Sequence, residues 1–453
     1  MKAGFHLLAA FLLLTSLPAA PVLPVSADNS ALRLKILSVS AAASYGPLRA
    51  PAGRQFVVLA TEWENRIDPK LAAERGLATA YMVGDLAQHL YLIMDGRWLG
   101  GLRGKLRGAD GHVSLESVSL GKPGAKITGD IVYELPTGAW QSLDLRFYDD
   151  TTGYLKIALA GEAPVAKPLQ VVQKNAIAEL GLFALENPAA GVTAPAGFRA
   201  VAVELRARSL WQIDGAAPAY DASQPPGAQI QHVNLLDWPE TRKYIHVLAD
   251  GDIDCPPQEA GTLPDTARFV PEFLTGGKLV FFVPADAKSL ELFCEMPHAA
   301  APGGGVMDLA PLSFPLAGTP PAPNTTPPLV AIQDEMFAIA VTGCRRVGTI
   351  AGESAAEGKQ FLALAVTVSN QGPTGEFFQP RDQMFILDGN GAETPVDEIT
   401  AKGPHRPEEQ VHLPAGARRR FEVVYQIDRT NQALKLSFHG GNFMQSYDLP
   451  ATP

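Results

Sequence analysis

Long apolar runs, basic excess and cysteine are all scarce in this chain of 453 residues. No segment reaches the roughly 20 consecutive apolar residues that a spanning helix needs, so no transmembrane anchor is expected. Lys and Arg number 37 against 47 Asp and Glu, a formal charge of −10. That balance excludes the basic footprint of a nucleic-acid binder. Of the three cysteines, Cys255, Cys294 and Cys344, none sits in a C-x-x-C pair, which excludes a zinc knuckle or a thioredoxin-like site. Charged residues are only 19% and apolar ones 46%, too apolar for a disordered chain.

Catalytic grammar is missing as well. Gly352-Glu353-Ser354-Ala355-Ala356 lacks the closing Gly of a nucleophile elbow. Residues 352–359 have the wrong spacing for a phosphate loop and no Ser or Thr after Lys359 to hold magnesium. Pro407 lies between His405 and His412 and prevents a helix that would align two zinc ligands. The chain is therefore expected not to be an enzyme, with no cofactor, no metal and no catalytic residue to name.

What is abundant is Gly (42) and Pro (38), which favours turns and short strands over long helices. Lys2 followed by the apolar run at residues 7–14 and by Val25-Ser26-Ala27 before Asp28 is the grammar of a secretory signal peptide. Cleavage is expected after Ala27. With no cysteine there, a lipid anchor is not expected, and the chain should be periplasmic or extracellular.

The mature sequence repeats one plan. Pro51-Ala52-Gly53 precedes an apolar run from Phe56 to Trp63; Pro195-Ala196-Gly197 precedes a similar run 144 residues later; Ala356-Glu357-Gly358 opens a third, 161 residues further on. A second echo ends strands in Asp95-Gly96, Asp250-Gly251 and Asp388-Gly389, dipeptides that tolerate the positive φ of tight hairpins. The third is period-two alternation, as at Leu143, Leu145 and Phe147 and then Leu155, Ile157 and Leu159, proper to strands with one buried face. A short helix is expected only near residues 69–78.

The fold class expected is all-β: three tandem β-sandwiches at residues 28–163, 169–314 and 329–453, after a signal peptide at 1–27. A Pro-rich linker, residues 315–328, should hold the third apart. Through residues 358–370, 385–391 and 414–425, the third unit resembles bacterial extracytoplasmic immunoglobulin-like domains of unknown function, and the first two resemble them more loosely. The resemblance implies immunoglobulin-like sandwiches and binding roles at the cell envelope, and it carries no catalytic residue.

Three groups invite a functional reading. Arg97, Trp98, Arg103, Lys105 and Arg107 form a basic cluster able to grip an anionic glycan, a lipid head group or an acidic partner; the plainer reading is a solvated strand face with Leu102 and Leu106 inward. Asp250, Asp252 and Asp254 alternate as calcium ligands can, but Cys255-Pro256-Pro257 departs from an EF-hand loop and a hairpin turn is favoured. Arg418-Arg419-Arg420 opens a strand and is expected to be solvated. In an oxidising compartment a Cys255–Cys294 disulfide is expected, with Cys344 left over. The function expected is an exported binding or scaffolding protein whose partner is another envelope protein or a glycan. The alternatives are a carbohydrate-binding or adhesion protein, using loop aromatics such as Trp98 or Trp238, and a hydrolase with a loop-built site.

Overall fold

The computed structural model describes residues 23–450 apart from 30, 75, 109–112, 150–152, 166, 170–171, 211–235, 239, 259, 266, 297–308, 323–326, 351, 399, 401–409 and 441–442. Strand predominates, in several sheets, and the described α-helices are single turns or little more: α1 (Pro69–Glu74), α2 (Thr241–Tyr244) and α3 (Pro380–Gln383). No described helix is long and apolar enough to cross a membrane. Most of the expected signal peptide lies outside the described residues. Its last residues do not: strand β1 (Val25–Asp28) pairs with Arg33 to Ile36. The chain divides into two compact units, with the main boundary in sequence after residue 166.

In the first unit, β1 is followed by β2 (Leu32–Ala42), β3 (Arg54–Asn65), β4 (Leu90–Met94), β5 (Trp98–Leu99), β6 (Gly101–Arg103), β7 (Lys126–Pro136), β8 (Leu143–Asp149) and β9 (Gly153–Ala160). One sheet runs β1-β2-β3-β7-β6 and the other β9-β8-β4-β5. Alternation puts Leu34, Ile36, Val57 and Leu59 of the first sheet and Leu143, Leu145 and Phe147 of the second into one apolar cluster. Trp63 meets Phe147 edge-on across it, ring centroids 5.7 Å apart. Full burial of such rings stabilises the layer pair by about 2–3 kcal/mol each.

The second unit contains two further large apolar clusters, besides two small ones. Its strands are β10 (Gln173–Lys174), β11 (Ala178–Glu186), β12 (Phe198–Ser209), β13 (Ile245–Ala249), β14 (Ile253–Cys255), β15 (Pro257–Gln258), β16 (Thr275–Pro284), β17 (Leu290–Cys294) and β18 (Leu312–Ala317), then β19 (Val330–Gln333), β20 (Phe337–Val347), β21 (Lys359–Asn370), β22 (Glu376–Phe378), β23 (Met384–Leu387), β24 (Glu393–Pro395), β25 (Val411–Leu413), β26 (Arg418–Asp428), β27 (Lys435–Gly440) and β28 (Phe443–Asp448). The sheets run β10-β11-β12-β16-β15, β24-β23-β27-β28, and one of eight strands, β18-β17-β13-β14-β26-β21-β20-β19. The long sheet serves both clusters and is spliced by one parallel contact, Ile253 opposite Arg420. The first residues of the Pro-rich stretch, Pro315 to Ala317, belong to β18, and the two cores share a sheet.

The repeated plan has a backbone counterpart. β2 on β3, β11 on β12 and β20 on β21 each carry one register shift, past Leu37, Phe183 and Thr342 respectively. Just before each first strand an Asx turn closes the hairpin: Asn29, Asn175 and Asp334 Oδ1 accept the N–H groups of Leu32, Ala178 and Phe337.

Asp95-Gly96 and Asp250-Gly251 both turn through positive φ, 55° and 52° at the Asp. Each carboxylate reaches across to the residues just before a later strand, Asp95 to the N–H groups of Gln141 and Ser142 and Asp250 to those of Lys288 and Ser289. Asp388 departs from this and accepts locally, from Asn390 and Ala392.

The expected disulfide does not form. All three cysteines are free thiols. Cys255 on β14 lies opposite Val247 and Cys294 on β17 opposite Ile245, so β13 runs between them. Two strand spacings put the pair about 9–10 Å apart at the least, beyond the ~7 Å that a bridge spans. Burial pushes both thiols well above their ordinary pKa.

Candidate functional site

The basic cluster of the first unit divides between two sheets. Residues 98–103 cross from β5 to β6 through Gly100, where a Cβ would stand 3.2 Å from the Tyr133 ring. The Arg97 guanidinium lies 4.6 Å above the Trp98 ring, whose body packs against the apolar cluster. Arg103 ends β6 and grips Glu134 on β7, whose other oxygen accepts from Arg54 Nε at 2.7 Å. Burial holds Arg54 below the ordinary guanidinium pKa. Lys105 and Arg107 are exposed. Leu102 and Leu106 do not share one inner face: Leu102 packs on the main cluster, whereas Leu106 joins Tyr45, Phe56 and Val132 in a separate one.

In the second unit, two motifs far apart in sequence meet. Strand alternation sends Arg418 and Arg420 to one side of β26 and Arg419 to the other. Asp252 stands between the first two, 3.3 Å from Arg418 Nε and 3.1 Å from Arg420 Nη2. Arg420 N–H also donates to Asp252 O at 2.6 Å. Arg419 is not solvated as expected. Its guanidinium donates to Glu295 Oε1 at 3.0 Å, and both side chains are only 4% exposed. The other Glu295 oxygen takes His412 Nδ1. Tyr244 and Phe377 wall the imidazole, at centroid distances of 6.0 and 5.0 Å, and Lys243 Nζ lies 5.1 Å above Phe377. Burial, then Glu240 and Glu295, push the Tyr244 phenol up to about 12.

Behind this lies His246, with Nδ1 2.8 Å from Asp254 and Nε2 2.6 Å from Lys243 O. Burial by itself would depress the imidazole; Asp254, the Lys243 carbonyl and Glu295 together outweigh it, and the net direction is upward. The alternating acids thus go to three different partners. Asp250 ties a turn, Asp252 holds two arginines and Asp254 holds a histidine, so they do not converge on a cation. Among the described residues no group of three or more His, Cys, Asp or Glu side chains is placed to hold a metal ion.

Residues 331–448 match the model of a domain of unknown function (DUF4352). His412 and the three arginines lie within them, and Asp252 and Glu295 lie outside. No curated protein matches the chain. Among solved structures it is similar to a conserved hypothetical protein from Bacillus anthracis (15% identity, 27% of this chain, 94% of that one, TM-score 0.22). It is also similar to an uncharacterized β-sandwich protein from Clostridium difficile 630 (10% identity, 29% and 100%, TM-score 0.21) and to the yjhA protein from Bacillus subtilis (14% identity, 27% and 96%, TM-score 0.21). At these scores they carry no argument about function.

The arrangement can pair, cap and dock. Neither of the two tryptophans named for sugar stacking offers a free face: Arg97 covers Trp98, and Trp238 is 2% exposed beside Phe269. The sequence signal for these ion pairs was present, as alternating acids in one place and three arginines in another, but nothing local says that the two meet.

Proposed function

We propose that this is an exported, non-catalytic binding or scaffolding protein of the bacterial cell envelope, built from tandem immunoglobulin-like domains, whose partner is another envelope protein or a glycan. One observation supports it above others. The charged groups that invite a chemical reading at Asp250, Asp252, Asp254, Glu295, His412 and Arg419 are taken up in tying strands and cores to one another. The three matching register shifts and Asx turns support a tandem plan, and Lys2 with the apolar run after it supports export.

The test is cell fractionation joined to cross-linking in intact cells, followed by affinity purification of the tagged chain. Recovery of a processed chain from the envelope, cross-linked to a reproducible protein or glycan, is the expected result. A chain that stays in the cytosol unprocessed, or that cross-links to nothing at its native abundance, overturns the reading.

A further inference from the structure

We propose that export processing cuts the Ala19–Ala20 bond, so that β1 stays in the exported chain as a structural strand of the first unit instead of leaving with the leader. This rests on the export reading above and concerns where the cut is made.

β1 packs as part of the sandwich. It runs antiparallel to β2, with Val25 opposite Ile36, Ser26 opposite Lys35, Ala27 opposite Leu34 and Asp28 opposite Arg33. Alternation sends Leu23, Val25 and Ala27 against the main apolar cluster, which holds Leu34 and Ile36, and leaves Ser26 and Asp28 exposed. Asp28 Oδ2 lies 3.3 Å from Arg33 Nη2. A cut after Ala27 removes Val25, Ser26 and Ala27. It opens the backbone edge of β2 from Arg33 to Ile36 and bares apolar surface beside Leu34 and Ile36, a ready template for aggregation.

The other two repeats carry the same strand in the same place. β10 lies antiparallel on β11, with Gln173 opposite Leu180, and β19 on β20, with Val330 opposite Val341. Like β1, each ends at the Asx turn that opens the first long strand. The turn residue's own N–H donates back to the hairpin each time, from Asn29, Asn175 and Asp334 to the carbonyls of Leu32, Ala178 and Phe337. The residues just upstream of the turn thus cover the edge of the first long strand in every repeat. A chain beginning at Asp28 lacks that cover in the first repeat alone.

The sequence before β1 contains a better placed bond. The apolar run ends at Leu14, and Leu17-Pro18-Ala19 puts an aliphatic residue at the third position before the cut and a small one at the first. Ala19 lies five residues past the run and Ala27 thirteen. Thirteen residues reach up to roughly 45 Å when extended, far from the membrane face where a signal peptidase works. The next bond, Ala20–Pro21, is a poor substrate, because proline lacks an N–H and restricts the residue before it. Hydrolysis adds water across Ala19–Ala20, leaving a carboxylate on Ala19 and an amine on Ala20.

The experiment produces the full chain with its own leader in a bacterial host and reads the exported protein by intact mass and N-terminal sequencing. A first residue of Ala20 is expected. Ala19→Leu should abolish that product, and Ala27→Leu should leave it unchanged. Any other first residue in the exported parent, Asp28 above all, overturns this proposal alone, as does an Ala20 product that survives Ala19→Leu. A chain that stays full-length in the cytosol overturns the export reading and this proposal with it. A chain made to begin at Asp28 tests the role of the strand. Its amide hydrogens from Arg33 to Ile36 should exchange about tenfold faster or more than in the chain beginning at Ala20. Equal protection in the two chains overturns the role given to β1.

Discussion

Tyr425 offers a sharp test of how these cores are packed. It lies on β26 opposite Leu362, and the corresponding register positions of the other two sheets hold Tyr133 opposite Val57 and Phe281 opposite Val201. All three rings are fully buried. The Tyr133 and Tyr425 hydroxyls have no hydrogen-bond partner among the described residues, and burial pushes the Tyr425 phenol far above its ordinary pKa. A buried hydroxyl left unpaired costs about 1–3 kcal/mol. Phe fills the same space without that cost, as Phe281 does in the second core. Tyr425→Phe is therefore expected to stabilise the third core by about 1 kcal/mol, near the lower end of that range because the ring loses some contacts. For a domain of this size that raises Tm by about 4 °C. Differential scanning calorimetry of the full chain reads it as an upward shift of one transition with the others unmoved. The reverse change, Phe281→Tyr, should lower the second core's transition by a similar amount. A Tyr425→Phe variant that melts several degrees lower would mean that the hydroxyl is satisfied, and would refute the reasoning.

Thiol titration in denaturant, without reductant, should find three reactive thiols per chain, and reductant should leave the melting profile unchanged; two thiols fewer would contradict the strand order around β13. Asp250→Ala removes the acceptor for two N–H groups and should cost the second core about 1–2 kcal/mol in urea unfolding, with Asp95→Ala doing the same in the first unit, whereas Asp388→Ala should matter less because its bonds stay within one turn. His246 binds its proton more tightly folded than unfolded, so it contributes stability that is complete below the unfolded pKa of about 6.5 and is lost as pH rises through the higher folded value. The urea midpoint of the second core should fall over that window, and His246→Gln should flatten the fall; a midpoint that rises there would reverse the sign.

Strand-level features were legible because they are local. Leu143, Leu145, Phe147, Leu155, Ile157 and Leu159 alternate in sequence and are all buried, since the period of a pleated strand is set by the backbone itself. The Asp-Gly turns at Asp95 and Asp250 were legible for the same reason, although the strands that their carboxylates tie down were not. The disulfide failed because proximity in sequence says nothing of the strand order that put β13 between Cys255 and Cys294. The basic cluster kept its residues but lost its unity, since Gly100 carries the chain from one sheet to the other between Trp98 and Arg103.

The amino-acid sequence by itself determined the strands, their turns and the inward side of each, because propensity, alternation and positive φ act over a few residues. Only the tertiary structure decided that Arg419 is buried rather than solvated, that Asp252 faces two arginines more than 160 residues away, and that the second and third cores share one sheet. Those outcomes depend on which strand edges meet, and edge pairing is a long-range choice made by complementary charge and shape.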